Sequence, residues 1–169
     1  MASPPAYEID DNATYEVTIA TDKGDIVLEL DPELAPNTVN NFVALARRGF
    51  YDNVTFHRVV PSFVIQGGDP EGSGRGGPGY TFAAELDGSE SYTRGVIAMA
   101  NDGSQFFLVY RDSSALDKTP DYTIFGEIDP SGIGILERMA AEGQDGTNPD
   151  GGGRPNNPSE IVKVTPAGG

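Results

Sequence analysis

No apolar stretch of this chain runs far before a glycine, a proline or an acidic turn interrupts it. The 22 glycines and 13 prolines among 169 residues fall between apolar runs instead of gathering in one low-complexity tract. That punctuation favours many short strands joined by turns. The length suits one domain with a real core.

Residues 15–21 (YEVTIAT) and 25–30 (DIVLEL) alternate apolar and polar side chains around Asp22-Lys23-Gly24. This predicts an antiparallel hairpin with one buried face. A helix follows: Pro36 suits its first turn, Val39, Phe42, Val43 and Ala46 share one face, and Gly49 suits its stop. Residues 54–66 (VTFHRVVPSFVIQ) read as two apolar strands broken near Pro61. Further strands are expected at 80–83, 95–100, 104–110, 122–128 and 160–165. A second helix over about 132–142 groups Ile135, Leu136, Met139 and Ala140, with Gly143 as its stop. The expected fold is mostly β: a closed eight-stranded antiparallel barrel capped by two helices, closure removing exposed strand edges. Residues 1–13 read as a linker-like segment, 14–166 as the domain and 167–169 as a tail.

Charge and composition exclude several functions. With 26 acidic against 11 basic residues, the net charge of −15 should repel phosphate backbones, so no nucleic-acid partner is expected. The chain has no cysteine, which excludes disulfides and thiolate metal sites. No run approaches the roughly 20 apolar residues that cross a bilayer, so no membrane insertion is expected. The start, Met1-Ala2-Ser3-Pro4-Pro5, lacks a basic region followed by an apolar one. As written the chain reads as cytoplasmic; the alternative is a soluble extracytoplasmic domain of an anchored protein.

Gly72-Ser73-Gly74-Arg75-Gly76-Gly77 formally matches G-x-G-x-x-G, but Pro78-Gly79 and not a helix follows, and Asp69 and Glu71 flank it. A dinucleotide site needs the helix, so the match is accidental. Asp145, Asn148 and Asp150 offer oxygen ligands without the spacing of a calcium loop. His57 is the only histidine, with no second His or Cys to share a zinc ion and no nucleophile elbow, and it reads as a hydrogen-bonded structural residue. Arg58 is the most informative residue, because an arginine inside a Val/Phe/Ile run must be paired, snorkelling or functional. On strand parity it shares a face with Phe56 and Val60, and His57 faces the other way.

Three segments carry a resemblance: Phe56-His57-Arg58-Val59, Phe63-Val64-Ile65-Gln66-Gly67-Gly68-Asp69, and Gly103-Ser104-Gln105-Phe106-Phe107. With Ala35-Pro36, Gly49-Phe50-Tyr51, Gly76-Gly77-Pro78-Gly79 and Phe125-Gly126 in order along residues 15–165, the chain resembles the cyclophilin-type peptidyl-prolyl cis/trans isomerases. The resemblance implies a barrel with its active site in a groove on the outer surface. It implies Arg58 as the catalytic arginine, with Gln66 and Asn101 on the substrate backbone and Phe63, Val64, Phe107 and Leu116 lining a proline pocket. Gln105 and the backbone near Gly74 and Ala100 would shape the groove for the preceding residue, and Tyr122 stands where the family's usual pocket histidine does. Partners would be proline-containing peptides and unfolded or partly folded proteins; no cofactor and no metal is expected, and a monomer is. The chain departs from the family in the short Asn101-Asp102-Gly103 connection, in having no Trp, and in Val64 where methionine is commoner. The competing reading is a binding module that keeps the groove and has lost turnover.

Overall fold

The computed structural model describes residues 4–100, 103–112, 121–147 and 152–166. Its first hairpin is β1 (Tyr15–Thr21) and β2 (Gly24–Leu30), paired in register from Tyr15–Leu30 to Thr21–Gly24. Val17, Ile19, Ile26, Leu28 and Leu30 are fully buried, as the alternation predicts. After α1 (Pro36–Arg47) the chain forms β3 (Arg58–Val60), β4 (Val64–Gly67), β5 (Val96–Met99), β6 (Phe106–Val109) and β7 (Ile124–Ile128). Helix α2 (Pro130–Ala141) and β8 (Ile161–Pro166) complete the order. Asp129 caps α2 by accepting from the Ser131 N–H at 3.0 Å, so the helix starts two residues before its expected start.

All eight strands form one antiparallel sheet in the order β3-β4-β6-β5-β7-β2-β1-β8. The sheet curls into a half-barrel, not the closed barrel expected from the sequence. Its end strands, β3 and β8, share no ladder among the described residues; the segments beside them meet through isolated bridges, Thr55 with Glu160 and Val59 of β3 with Gly153, and through single bonds such as the Phe56 N–H to the Ser159 carbonyl. The intervening chain carries Pro155 and Pro158, which have no N–H to give a ladder. Residues 80–83 form no strand either. Their neighbourhood is held by side chains: the Tyr80 hydroxyl donates to Asn41, and the Glu85 N–H donates to Thr123 Oγ1 at 2.9 Å.

One face of the sheet builds the main core. Val59, Ile65, Leu108 and Ile97 lie in one cross-strand row, each at most 2% exposed. Helix α1 adds Val39, Phe42 and Val43 to this cluster, and α2 adds Ile133, Leu136 and Met139. Phe42 packs edge-on to Phe106 with ring centres 5.6 Å apart. Ile9, in the N-terminal segment, also reaches the core, and the Glu8 N–H donates to Asn40 Oδ1. No described helix is long and apolar enough to cross a membrane.

Candidate functional site

The opposite face of the same strands carries a second apolar cluster. Val60, Val64, Tyr92, Ala98, Phe107 and Val109 are buried there, with Phe63, Val96, Ala100, Tyr122 and Ile124 packed half-buried against them. Strand alternation separates this cluster from the core by a single residue step: Val59 and Ile65 point in, Val60 and Val64 out. The register sets Arg58 beside Gln66, Gln66 beside Phe107, and Phe107 beside Ala98. One outer row therefore passes from a cation through an amide to an aromatic ring.

The polar end of this row is ordered by a chain of hydrogen bonds. Arg58 Nη1 donates to Gln66 Oε1 at 3.1 Å, and Gln66 Nε2 donates to Gln105 Oε1 at 2.9 Å. Gln105 Nε2 in turn donates to the Gly76 carbonyl at 3.0 Å. Gln105 is 1% exposed, so its amide orientation is fixed by these partners rather than by solvent. Burial lowers the Arg58 guanidinium below its ordinary value, with Tyr122 acting the other way; an arginine nevertheless stays charged.

The apolar end is aromatic. Phe107 and Tyr122 meet edge-to-face at 5.4 Å, and Tyr92 packs against both. The Tyr92 hydroxyl donates to the Tyr122 carbonyl at 2.7 Å and accepts from the Tyr122 N–H at 3.0 Å, which fixes the backbone of that wall. Tyr92 was not singled out in the sequence. Its only signal there is an aromatic set between polar Ser91 and Thr93.

The glycine-rich loop borders the polar end and is organised by Asp69, a buried residue that ends one resemblance segment and flanks the loop but was given no role in the sequence. Its carboxylate accepts from the N–H groups of Glu71 (2.8 Å), Ser73 (2.9 Å) and Gly74 (2.5 Å). Desolvation pushes this carboxyl up, but the amides of Glu71, Gly76, Gly74 and Ser73 together hold it below the usual carboxylate range. The readable signal was Asp-Pro-x-Gly, a turn whose Asp can cap its own following amides. A side chain at Gly76 would collide with Asp69, which ties this glycine to the loop's closure.

The structure thus brings Arg58, Gln66, Phe63, Val64, Ala100, Gln105, Phe107 and Tyr122 to one face, with Gly74 in the bordering loop. Ala100 is held there by its N–H donating to the Gln105 carbonyl at 2.8 Å. Asn101 and Leu116 lie outside the described residues, as do Asn148 and Asp150 of the acidic loop. Two sequence expectations are corrected. Phe56 does not share Arg58's face but is 1% exposed in the main core, because residues 56 and 57 precede β3 and escape its alternation. His57 is buried without a hydrogen-bond partner on either ring nitrogen among the described residues. It lies beside Gly74, where a Cβ on that glycine would meet its ring at van der Waals distance. No group of three or more His, Asp or Glu suited to a metal ion occurs among the described residues.

Residues 16–166 match the family model described as cyclophilin type peptidyl-prolyl cis-trans isomerase/CLD. The peptidyl-prolyl cis-trans isomerase B of Bacillus subtilis is 45% identical over 125 residues, covering 70% of this chain and 85% of that protein. The probable peptidyl-prolyl cis-trans isomerase B of Mycobacterium tuberculosis is 41% identical across 92% of this chain, which spans 54% of that longer protein. Among solved structures, a cyclophilin type peptidyl-prolyl cis-trans isomerase from Cryptosporidium parvum superposes with a TM-score of 0.82 at 31% identity, over 93% of this chain and 99% of that one. A crystal structure of the same parasite protein in the presence of the dipeptide Ala-Pro gives a TM-score of 0.79 at 32% identity, over 89% of this chain and 97% of that one.

Proposed function

This chain belongs to the cyclophilin-type peptidyl-prolyl cis-trans isomerases, and from that premise we propose that it turns Xaa-Pro bonds by holding the proline in the outer aromatic cluster while Arg58 stabilises the twisted amide. The substrates are proline-containing peptides and segments of incompletely folded proteins. What carries the reading is the outer row itself: a guanidinium oriented by Gln66, two strands from Phe107 and so about 10 Å away backbone to backbone.

The chemistry needs little more. Amide resonance sets a barrier of roughly 18–20 kcal/mol to rotation about the C–N bond. At the orthogonal geometry resonance is lost, the prolyl nitrogen turns pyramidal and recovers a lone pair. A guanidinium N–H aimed at that lone pair binds the twisted form better than either planar isomer, and only such preferential binding accelerates rotation. Phe63, Val64, Phe107 and Tyr122 fix the ring and exclude water, which strengthens the hydrogen bond. Gln66 keeps Arg58 in its aiming position, and Gln105 with the Gly74 segment borders the groove for the residue before proline. No covalent bond forms or breaks.

A coupled isomerisation assay on a proline-containing peptide, run at pH 7.5, tests this. Arg58→Ala is expected to lower kcat/KM by about 100-fold or more, as loss of one charge-assisted donor in a dry site does, while the fold persists by circular dichroism. Equal rates for variant and parent would reject Arg58 as the catalytic group. A parent at the uncatalysed rate that still binds the peptide would instead support the binding-module reading.

A further inference from the structure

His57, the chain's one histidine, is 8% exposed beneath the glycine-rich loop and immediately precedes Arg58. The loop lies within ordinary van der Waals range of it: a Cβ on Gly74 would stand 3.8 Å from His57 Nε2. Both ring nitrogens are buried, and neither has a hydrogen-bond partner among the described residues. Three charged side chains act on the ring from three elements. Asp69 comes from the loop, Arg154 from the segment leading to β8, and Arg58 from the start of β3. Arg154 also donates to the Gly72 carbonyl at 3.2 Å, so the same guanidinium fastens the loop from outside. A neutral imidazole fits this site as a packing element. An imidazolium does not, because it brings a charge and two N–H donors into a place that offers no acceptor except by rearrangement.

We propose that His57 is a positioning residue that makes the groove acid-sensitive: neutral, it lets the 69–76 loop close; protonated, it opens the loop and disturbs the aim of Arg58. The route follows bonds already described. An imidazolium attracts the Asp69 carboxylate, which can reach it only by loosening its hold on the amides of Glu71, Ser73 and Gly74. It also repels Arg154 and Arg58. The Gly76 carbonyl moves with the loop, and Gln105, Gln66 and Arg58 lose their order in sequence. Desolvation pushes the His57 pKa below its ordinary 6.5, Asp69 opposes this, and Arg154 and Arg58 add to it. As pH falls below about 6.5 the unfolded chain takes the proton first, so the contribution to stability is full above that pH and is lost as pH falls towards the lower folded-state value, and the folded loop opens only as pH falls through that lower value.

The effect on turnover rests on the proposed role of Arg58; the loop opening does not. The test is a pH series from 8 to 4.5 using a peptide substrate with no titrating side chain, with each protein normalised to its own rate at pH 7.5. The parent is expected to lose roughly tenfold per pH unit below the His57 pKa, whereas His57→Gln keeps a flat profile over the range where the parent falls. In parallel, the single histidine Cε1–H signal and the amide signals of Gly72, Gly74 and Gly76 are followed by NMR in the parent. They are expected to shift together with one midpoint below 6.5. An unchanged acid limb in His57→Gln would overturn the proposal, and so would a histidine titration that leaves the loop amides still. Should His57→Gln not fold, the NMR arm decides alone. Should the parent be inactive at pH 7.5, the Arg58 reading fails while the loop coupling is still decided.

Discussion

Strands β3, β4, β6 and β5 present two rows one residue apart, and the rows differ in everything but backbone. The inner row of Val59, Ile65, Leu108 and Ile97 is wholly apolar and capped by helix side chains. The outer row of Arg58, Gln66, Phe107 and Ala98 mixes a cation and an amide with an aromatic ring. Inside, burial needs no direction, and any well-filled arrangement removes apolar surface from water. Outside, each polar group must be oriented by the next, from Gly76 to Gln105 to Gln66 to Arg58. The inner row makes the sheet stable, and that stability lets the outer row keep polar groups half-buried in fixed poses.

The comparison breaks most visibly at Leu108, the inner neighbour of Phe107. Leu108→Ala is expected to cost about 2–5 kcal/mol of stability, the usual range for a cavity in a tight core, read as a shift in the denaturation midpoint. Activity per folded molecule should hold, and a loss exceeding the unfolded fraction would show that the faces are not independent. Gln66→Leu sharpens the contrast from the other side. It removes both of Gln66's side-chain links, so kcat/KM is expected to fall about 10- to 100-fold, equivalent to about one charge-assisted hydrogen bond. Its denaturation midpoint should move less than that of Leu108→Ala. A large drop in stability with little change in rate would mean that the amide chain serves the fold and not the groove.

How far these two rows could be read from the sequence follows from what sets them. The hairpin of β1 and β2 and both helices are legible because period-2 and period-3.6 patterns report one buried face directly, whereas the inner row lies in strands that are buried on both faces and read only as apolar runs. Parity also put Val60 and Val64 opposite Val59 and Ile65, but it failed at Phe56, where the chain leaves the strand and alternation no longer applies. The expected strand at 80–83 is not formed; the segment is instead tied at its ends to distant side chains, the Tyr80 hydroxyl to Asn41 and the nearby Glu85 N–H to Thr123, which no local pattern encodes. Barrel closure was overestimated for a similar reason: edge pairing depends on how the segment before β8, which touches β3 at Gly153, meets it across about a hundred residues of chain. For the outer face, residue types are legible in the chain but the links between them are not. That Gln66 bridges Arg58 to Gln105, that Asp69 gathers the loop amides, and that Tyr92 braces Tyr122 are all facts of three-dimensional arrangement.

Glu85 offers the mildest test, because it is a polar group that serves the inner side. Ala35 precedes α1 and provides no side-chain cap. The Glu85 carboxylate supplies one from 47 residues away, accepting from the Thr38 N–H at 2.7 Å and the Asn37 N–H at 3.2 Å. It satisfies amides that the helix cannot satisfy itself and sets a negative charge at the positive end of the helix dipole. Since α1 feeds Val39, Phe42 and Val43 into the core, this contact belongs energetically to the inner row. Glu85→Ala is therefore expected to cost about 1 kcal/mol, the typical loss for a cap, and to leave isomerisation per folded molecule unchanged. Urea denaturation alongside the peptide assay measures both. If the rate fell while the midpoint stayed, loss of the carboxylate would be reaching the Tyr122 wall through a shift of the chain at residue 85, whose backbone N–H donates to Thr123, and the two faces would share a link that the strand register does not reveal.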